Sequence, residues 1–324
     1  MPDPLQSLPV ALQHVQAAAH RIRSHVLKTP VLRCNRLEQE LGVELFFKGE
    51  HLQEAGAFKS RGACNAVFSL DESEAARGVL THSSGNHAAA LSRAAQRRGI
   101  PAFIVMPENA AATKIELVRG FGGQITFCQP TLAAREQTAE RLLKTTGATF
   151  VHPYDDERII AGQGTAMLEL LEAHPELDSV IAPVGGGGLL SGTLIVAKSL
   201  RPDLQVWAAE PLGADDAYRS WQSDRLIPQK NPQTIADGLR TSLGQRNFAI
   251  VRQLVDNIVL VGDEVIRDTV LRLWRELSWC VEPSGVVPLA ALLEQPTALP
   301  GQRIGVILSG GNVDIGAFVA AAES

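Results

Sequence analysis

The sequence predicts an α/β protein with open, mostly parallel sheets flanked by helices. Two observations carry that reading. Short β-branched or aliphatic runs alternate with longer segments of helical period along most of the 324 residues, and such alternation sets successive strands parallel with a helix crossing between them. Turns rich in Gly, Ser and Asn stand between several of these strands and the helices after them, at the carboxyl ends of strands where open α/β sheets bind ligands.

Taken in order, Leu12, Val15, Ala19, Ile22 and Val26 recur at helical spacing within residues 5–26. LKTPVLR is extended, because Pro30 pushes the residue before it out of helical geometry. A short helix around 37–41 precedes VELFFKGE, a strand. A helix over 59–70 is expected next. The alternation then runs through GVLTHSSGN with a helix at 88–98, PAFIVMP with 111–119, and QITFCQP with 131–145. It resumes at SVIAPVGGGG with 189–199, LQVWAAEP, NIVLVGDE with 263–277, and RIGVILSGGN. HPYDDERIIAGQGT, at 152–165, is the densest non-periodic stretch of the middle and places a seam near 155. Residues 221–244 carry weak periodicity and two prolines, and read as an extended surface segment rather than core.

The bulk properties narrow the function classes. A net charge of -5, with no basic run longer than Arg97-Arg98, leaves no electrostatic footprint for nucleic acid or an anionic membrane. No apolar stretch approaches the ~20 residues that cross a bilayer, and the first ten residues lack the pattern of a secretion signal. A cytoplasmic protein acting on small molecules is expected. Cys34, Cys64, Cys128 and Cys280 are scattered without a CxxC pair, which favours buried free thiols over a disulfide framework or a zinc site.

Four strand-end segments can carry chemistry. VGGGGLL, 184–190, offers four glycines whose amides can converge on a phosphate at a helix N-terminus. Neither GxxxxGK[ST] nor a full GxGxxG fingerprint is present, so a small phosphorylated cofactor fits better than a nucleotide. EAGAFKSRGACNAV puts Lys59 in the first turn of a helix beside Phe58, where dipole and desolvation both disfavour its ammonium. ILSGGN offers Ser309 to a buried heteroatom, and THSSGNHAAAL offers Asn86 and the 83–86 turn to a carboxylate or phenolate oxygen. A reactive lysine, a phosphate cradle and polar groups on two further strand ends together suit pyridoxal 5'-phosphate, which needs a neutral amine to bind its aldehyde.

These motifs, AFKSRGA, SSGNH, VGGGG, ADGLR and LSGGN in that order, resemble the fold-type II pyridoxal-phosphate enzymes over nearly the whole chain. The branch is that of serine racemase, serine/threonine dehydratase and threo-3-hydroxyaspartate ammonia-lyase. The resemblance implies a tryptophan synthase β-like fold of two twisted sheets. Residues 1–70 with 156–324 would form the larger domain and 71–155 the smaller, with the cofactor in the cleft between them. It also implies a homodimer. Lys59 becomes the lysine that binds the cofactor aldehyde, with Phe58 by the ring, Asn86 at the ring hydroxyl, Ser309 at the pyridine nitrogen and Gly238 packed nearby. Gly185, Gly186, Gly187 and Gly188 with the amide of Leu189 hold the phosphate. A serine at the pyridine nitrogen leaves the ring short of full pyridinium character, which suits elimination or prompt reprotonation better than transamination.

The substrate is expected on Ser83, Ser84, Asn86 and His87, with Arg135 and Ser242 matching positions that contact substrate in the racemase-like members. Ser84 stands where racemases keep an acid/base opposite the lysine, so Lys59 and Ser84 are the expected catalytic pair. In AAEPLGADD the pattern implies a divalent cation, Mg²⁺, Ca²⁺ or Mn²⁺, on Glu210, Asp216 and the carbonyl of Ala214. Where relatives usually carry Gln after NHA or NHG, this chain has Ala89. The expected activity is elimination of water and ammonia from a β-hydroxy amino acid such as L-serine or L-threonine, with racemisation or 3-hydroxyaspartate elimination as the alternative. A β-replacement enzyme, a Rossmann-type oxidoreductase and a non-catalytic binding module are remoter alternatives.

Overall fold

Ten strands form among the residues described by the computed structural model, which are Leu5, 8–296 and 299–323. They are β1 (Val31–Leu32), β2 (Glu44–Gly49), β3 (Val79–His82), β4 (Ala102–Pro107), β5 (Gln124–Cys128), β6 (Thr149–Phe150), β7 (Ser179–Pro183), β8 (Gln205–Pro211), β9 (Asn257–Val261) and β10 (Arg303–Leu308). A six-stranded sheet runs β1-β2-β10-β7-β8-β9, and a four-stranded sheet runs β5-β4-β3-β6. Every pairing is parallel except that of β1 with β2. Strands β7 and β10 are buried along nearly their whole length, which is why SVIAP and RIGVIL read as continuous apolar runs rather than alternating ones.

The strand order places the ligand-binding crevice. In the four-stranded sheet β4 and β6 lie on opposite sides of β3, so β3 is a topological switch point, and the turn 83–86 leaves from its carboxyl end. In the larger sheet β7 and β10 are neighbours, and their carboxyl ends release the glycine loop and Ser309.

Helices Lys59–Phe68, Glu157–Ala173 and Gly188–Leu200 pack closely enough to need glycine. A Cβ on Gly162 would stand 2.5 Å from the Cα of Gly62, and one on Gly192 would stand 2.5 Å from the amide nitrogen of Gly164. A buried ion network lies beneath: Arg61, fully buried, donates to both carboxylate oxygens of Glu50 and of Glu169, while Lys48 bonds Glu169.

Two expectations are corrected. The stretch 152–165 is not irregular throughout, since Asp156 caps a helix that runs Glu157–Ala173. Its residues 159–167 are all buried, so no amphipathic stripe marks it. Residues 221–244 are not only surface: Thr234, Ala236, Leu239 and Leu243 are buried, and 237–241 line the central cavity. The helix Pro283–Glu294 also escaped the sequence reading, being apolar almost throughout and holding a proline at 288. The first helix spans Leu12–Ile22, while positions 6 and 7 of its expected span lie outside the described residues. All four cysteines are free thiols. Among the described residues no helix is long and apolar enough to cross a membrane.

Candidate active site

A cavity of about 550 Å³ opens where the carboxyl ends of β3, β7 and β10 meet the start of helix Lys59–Phe68. The chain is pinned there by its own loops. Phe58 donates its amide to the Ser309 carbonyl at 3.0 Å, and Ala57 bridges Gly310. Asn312 Nδ2 donates to the Ala55 carbonyl at 2.7 Å and to Asn86 Oδ1 at 2.9 Å. The LSGGN loop thus holds both the lysine segment and the SSGNH turn.

Lys59 is half-buried as a residue, but its ammonium is deep in the wall, donating to the Pro153 carbonyl at 2.8 Å and standing 5.0 Å from the Phe58 ring centroid. Burial lowers its pKa to about 8, an effect that Glu282 opposes only when it is ionised. About a tenth of the amine is therefore unprotonated at pH 7, far more than for a lysine in water.

After β7 the chain turns through Val184–Gly187 into helix Gly188–Leu200. The loop carbonyls are used: Asn247 Nδ2 donates to Gly186 O at 2.8 Å, as does the Gly244 amide at 3.1 Å. The amides of Gly185 to Leu189 find no protein acceptor among the described residues, and all five residues are buried. Five buried free N–H groups at a helix N-terminus constitute an anion site. Glycine is required here, because a Cβ on Gly186 would overlap the Tyr154 ring, and Gly187 has φ +91° with Leu243 Cδ1 2.6 Å from where its Cβ would lie.

In the turn after β3, Ser83 Oγ accepts from the Gly85 amide at 3.3 Å, while the Ser84 hydroxyl makes no hydrogen bond among the described residues. Asn86 Nδ2 donates to Glu282 Oε1 at 2.7 Å. His87 is buried with Nε2 3.3 Å from the Val151 carbonyl and Nδ1 unpartnered. Burial holds His87 well below the usual range, takes His152 to about 4 and lowers His82, so all three rings are neutral at pH 7.

Phe58, Lys59, Ser83, Ser84, Asn86, His87, Arg135, Gly185 to Gly188, Leu189, Gly238 and Ser309 all line this one cavity. Ser242 does not, and its hydroxyl instead accepts from the Gln229 amide at 2.9 Å. Glu210, Ala214 and Asp216 lie elsewhere, behind the end of β8. Glu210 accepts from the amides of Ala217 and Tyr218, Asp216 Oδ2 accepts from Leu243, and Asp216 Oδ1 is buried without a partner. Burial raises both acids, Asp216 to about 6 and Glu210 further with help from the Asp216 charge. No cluster of three or more His, Cys, Asp or Glu side chains suited to a metal occurs among the described residues.

Several wall residues carry no sequence signal. Tyr154 lays its ring against Gly186 and pairs its hydroxyl with Thr241 Oγ1 at 2.9 Å. Glu282 is a buried acid raised to about 8, first by burial and then by Asp237. Its only hint in the sequence is an acid just before the proline that opens a helix.

The residues fit pyridoxal phosphate on two observations: a phosphate-sized set of free amides that a Cβ would obstruct, and a wall lysine disposed to lose its proton. The comparisons agree. The family model described as pyridoxal-phosphate dependent enzyme matches residues 22–310. A β-hydroxyaspartate dehydratase of Paracoccus denitrificans is 48% identical, covering 92% of this chain and 95% of its own length. A serine racemase of Dictyostelium discoideum is 46% identical, covering 94% of this chain and 96% of its own length. The solved structure of maize serine racemase superimposes with a TM-score of 0.94 at 43% identity, over 97% of each chain. By sequence, fold and site the chain belongs to the pyridoxal-phosphate dependent enzymes.

Proposed function

We propose that the protein is an ammonia-lyase that removes water from a β-hydroxy amino acid, the resulting enamine taking water back up as it releases ammonia and leaves a 2-oxo acid. The carrying observation is Lys59, a wall lysine with a pKa near 8 that shares a cavity with the free amides of the glycine loop. The amides of Gly185 to Leu189 would hold the cofactor phosphate, Lys59 Nζ its aldehyde, Ser309 its pyridine nitrogen and Asn86 its ring hydroxyl, with Phe58 and Gly238 against the ring. Bound there, pyridoxal phosphate supplies an aldehyde that takes up an amino group and a ring that withdraws electrons from the neighbouring carbon.

The chain's own groups do the rest. As a neutral amine, Lys59 Nζ would take the proton from the substrate α-carbon. Ser83 and the backbone of the 83–87 turn orient the substrate α-carboxylate. Glu282 holds a proton at neutral pH and accepts from Asn86, which fixes the direction of that amide. On the wall, His82 and His87 are both held below ordinary imidazole basicity, which leaves no competing imidazole of ordinary strength.

Racemisation is the second reading, favoured by the Ser84 hydroxyl, which lines the cavity without a hydrogen bond among the described residues. Returning a proton to the opposite face of the α-carbon would use that group. Elimination of 3-hydroxyaspartate is favoured by Arg135, whose Nε is buried without a partner on the same wall.

We further propose a divalent cation on Glu210, Asp216 and the Ala214 carbonyl, because two buried carboxylates, one of which raises the other and has an oxygen without a partner among the described residues, call for a positive charge. The homodimer rests on the resemblance alone.

Lys59→Ala tests the lyase. The variant is expected to lose the visible absorbance of lysine-bound cofactor together with all release of 2-oxo acid from L-serine, L-threonine and threo-3-hydroxyaspartate, and retained turnover would overturn the proposal.

A further inference from the structure

Three cations besides Lys59 line the cavity, and the protein treats them differently. Arg240 is spent on the protein, donating through Nε and Nη2 to the Thr234 carbonyl. The guanidinium of Arg135 has no hydrogen bond or ion pair among the described residues, and its Nε is buried. Lys114, on helix Ala112–Gly120 beside the four-stranded sheet, pairs with Asp237, on the turn Asp237–Leu239 beside the six-stranded sheet. That pair crosses the cleft between the sheets.

The anions are as telling. Asp237 and Glu282 are the acids of the cavity wall among the described residues. Glu282 keeps its proton at neutral pH, in part because Asp237 is charged beside it. Asp237 is then the one carboxylate facing this space, and it sits on Lys114. The pair is partly exposed, the lysine side chain 27% and the aspartate 42%, and an ion pair of that kind is weak enough to be exchanged.

We propose that Lys114 is a specificity residue for the distal carboxylate of a dicarboxylic β-hydroxy amino acid, and that Asp237 holds its place until substrate arrives. This rests on the lyase reading above. A four-carbon substrate brings a second carboxylate that replaces Asp237 on Lys114 and satisfies Arg135. Charge is exchanged for like charge at Lys114, and the displaced Asp237 turns to solvent. A substrate with a neutral side chain, such as serine, offers nothing to displace Asp237 and leaves Arg135 unpaired. Selectivity therefore comes from the binding of one group and not from the elimination step.

The experiment measures kcat/KM of the holoenzyme for L-threo-3-hydroxyaspartate and for L-serine at a single pH shared by every variant. Lys114→Met is expected to lower the hydroxyaspartate-to-serine ratio about tenfold, mostly through KM, as loss of a charge-assisted hydrogen bond does. Lys114→Arg is expected to recover part of it. Asp237→Asn, which frees Lys114, is expected to raise the ratio. Opposite signs for the two substitutions support the assignment. A shared loss on both substrates, the signature of a latch that only closes the cleft, overturns it, and so does an unchanged ratio. Asp237→Asn decides by itself if Lys114→Met fails to fold. If neither amino acid is turned over the lyase reading fails, and succinate binding measured by thermal shift still tests this one: it must weaken in Lys114→Met and tighten in Asp237→Asn.

Discussion

Glu282→Gln removes a carboxyl that the cavity keeps protonated while leaving an acceptor for Asn86 Nδ2. In the folded chain this acid titrates at about 8, raised first by burial and next by the charge of Asp237, against an ordinary value near 4.5. Between those values the folded chain holds a proton that the unfolded chain releases. Unfolding is then favoured as pH rises, and the stability tied to this proton is full below about 4.5 and lost by about 8. At 1.36 kcal/mol per pH unit the whole span is worth ~5 kcal/mol, and the interval from about pH 5.5 to about 7.5 is worth ~2–3 kcal/mol. Lys59 acts in a different window, its depressed value of about 8 against 10.5 making stability recover only at higher pH. Urea unfolding of the cofactor-free chain at several pH values reads the effect directly, because ΔG extrapolates linearly in denaturant. The wild-type chain is expected to lose ~2–3 kcal/mol more than Glu282→Gln across that interval. Parallel pH profiles would refute the claim that Glu282 is protonated in the folded state.

Further outcomes follow from the packing. Gly186→Ala drives a methyl into the Tyr154 ring, and a shift of loop or ring costing about 1–3 kcal/mol should weaken cofactor binding about tenfold or more, read by titrating the visible absorbance. Arg61→Met strips the fully buried Glu50 of its bidentate partner and should destabilise the chain by ~3–5 kcal/mol in urea unfolding, with part of the loss recovered when Glu50→Gln is added. A chelator should lower the melting temperature, and Mg²⁺ or Ca²⁺ should restore it, while Glu210→Gln with Asp216→Asn should abolish the response.

Much of the architecture was legible because it is written locally. A strand, a glycine-rich turn and a helix are contiguous in sequence, so VGGGG, SSGNH and LSGGN announced strand ends, and AFKSRGA put its lysine at a helix start. The family match to pyridoxal-phosphate enzymes sets aside the oxidoreductase that the α/β pattern alone had left open. Elements buried on every face were harder to read. Helices Glu157–Ala173 and Pro283–Glu294 lack the polar stripe that betrays a surface helix, and the buried anchors Thr234, Ala236, Leu239 and Leu243 are set into a segment without regular structure.

By itself, then, the order of residues determined the α/β class and the lysine and phosphate-binding segments, since each depends on backbone geometry within a few consecutive positions. Only the tertiary structure decided how those segments work together. Glu282 is protonated because burial and Asp237 make its charge costly, Tyr154 closes over Gly186, and Lys114 reaches Asp237 across the cleft while Arg135 has no anion among the described residues. Each of these joins residues far apart in sequence, and the strength of each depends on how much water the two docked sheets exclude, a quantity that no local pattern encodes.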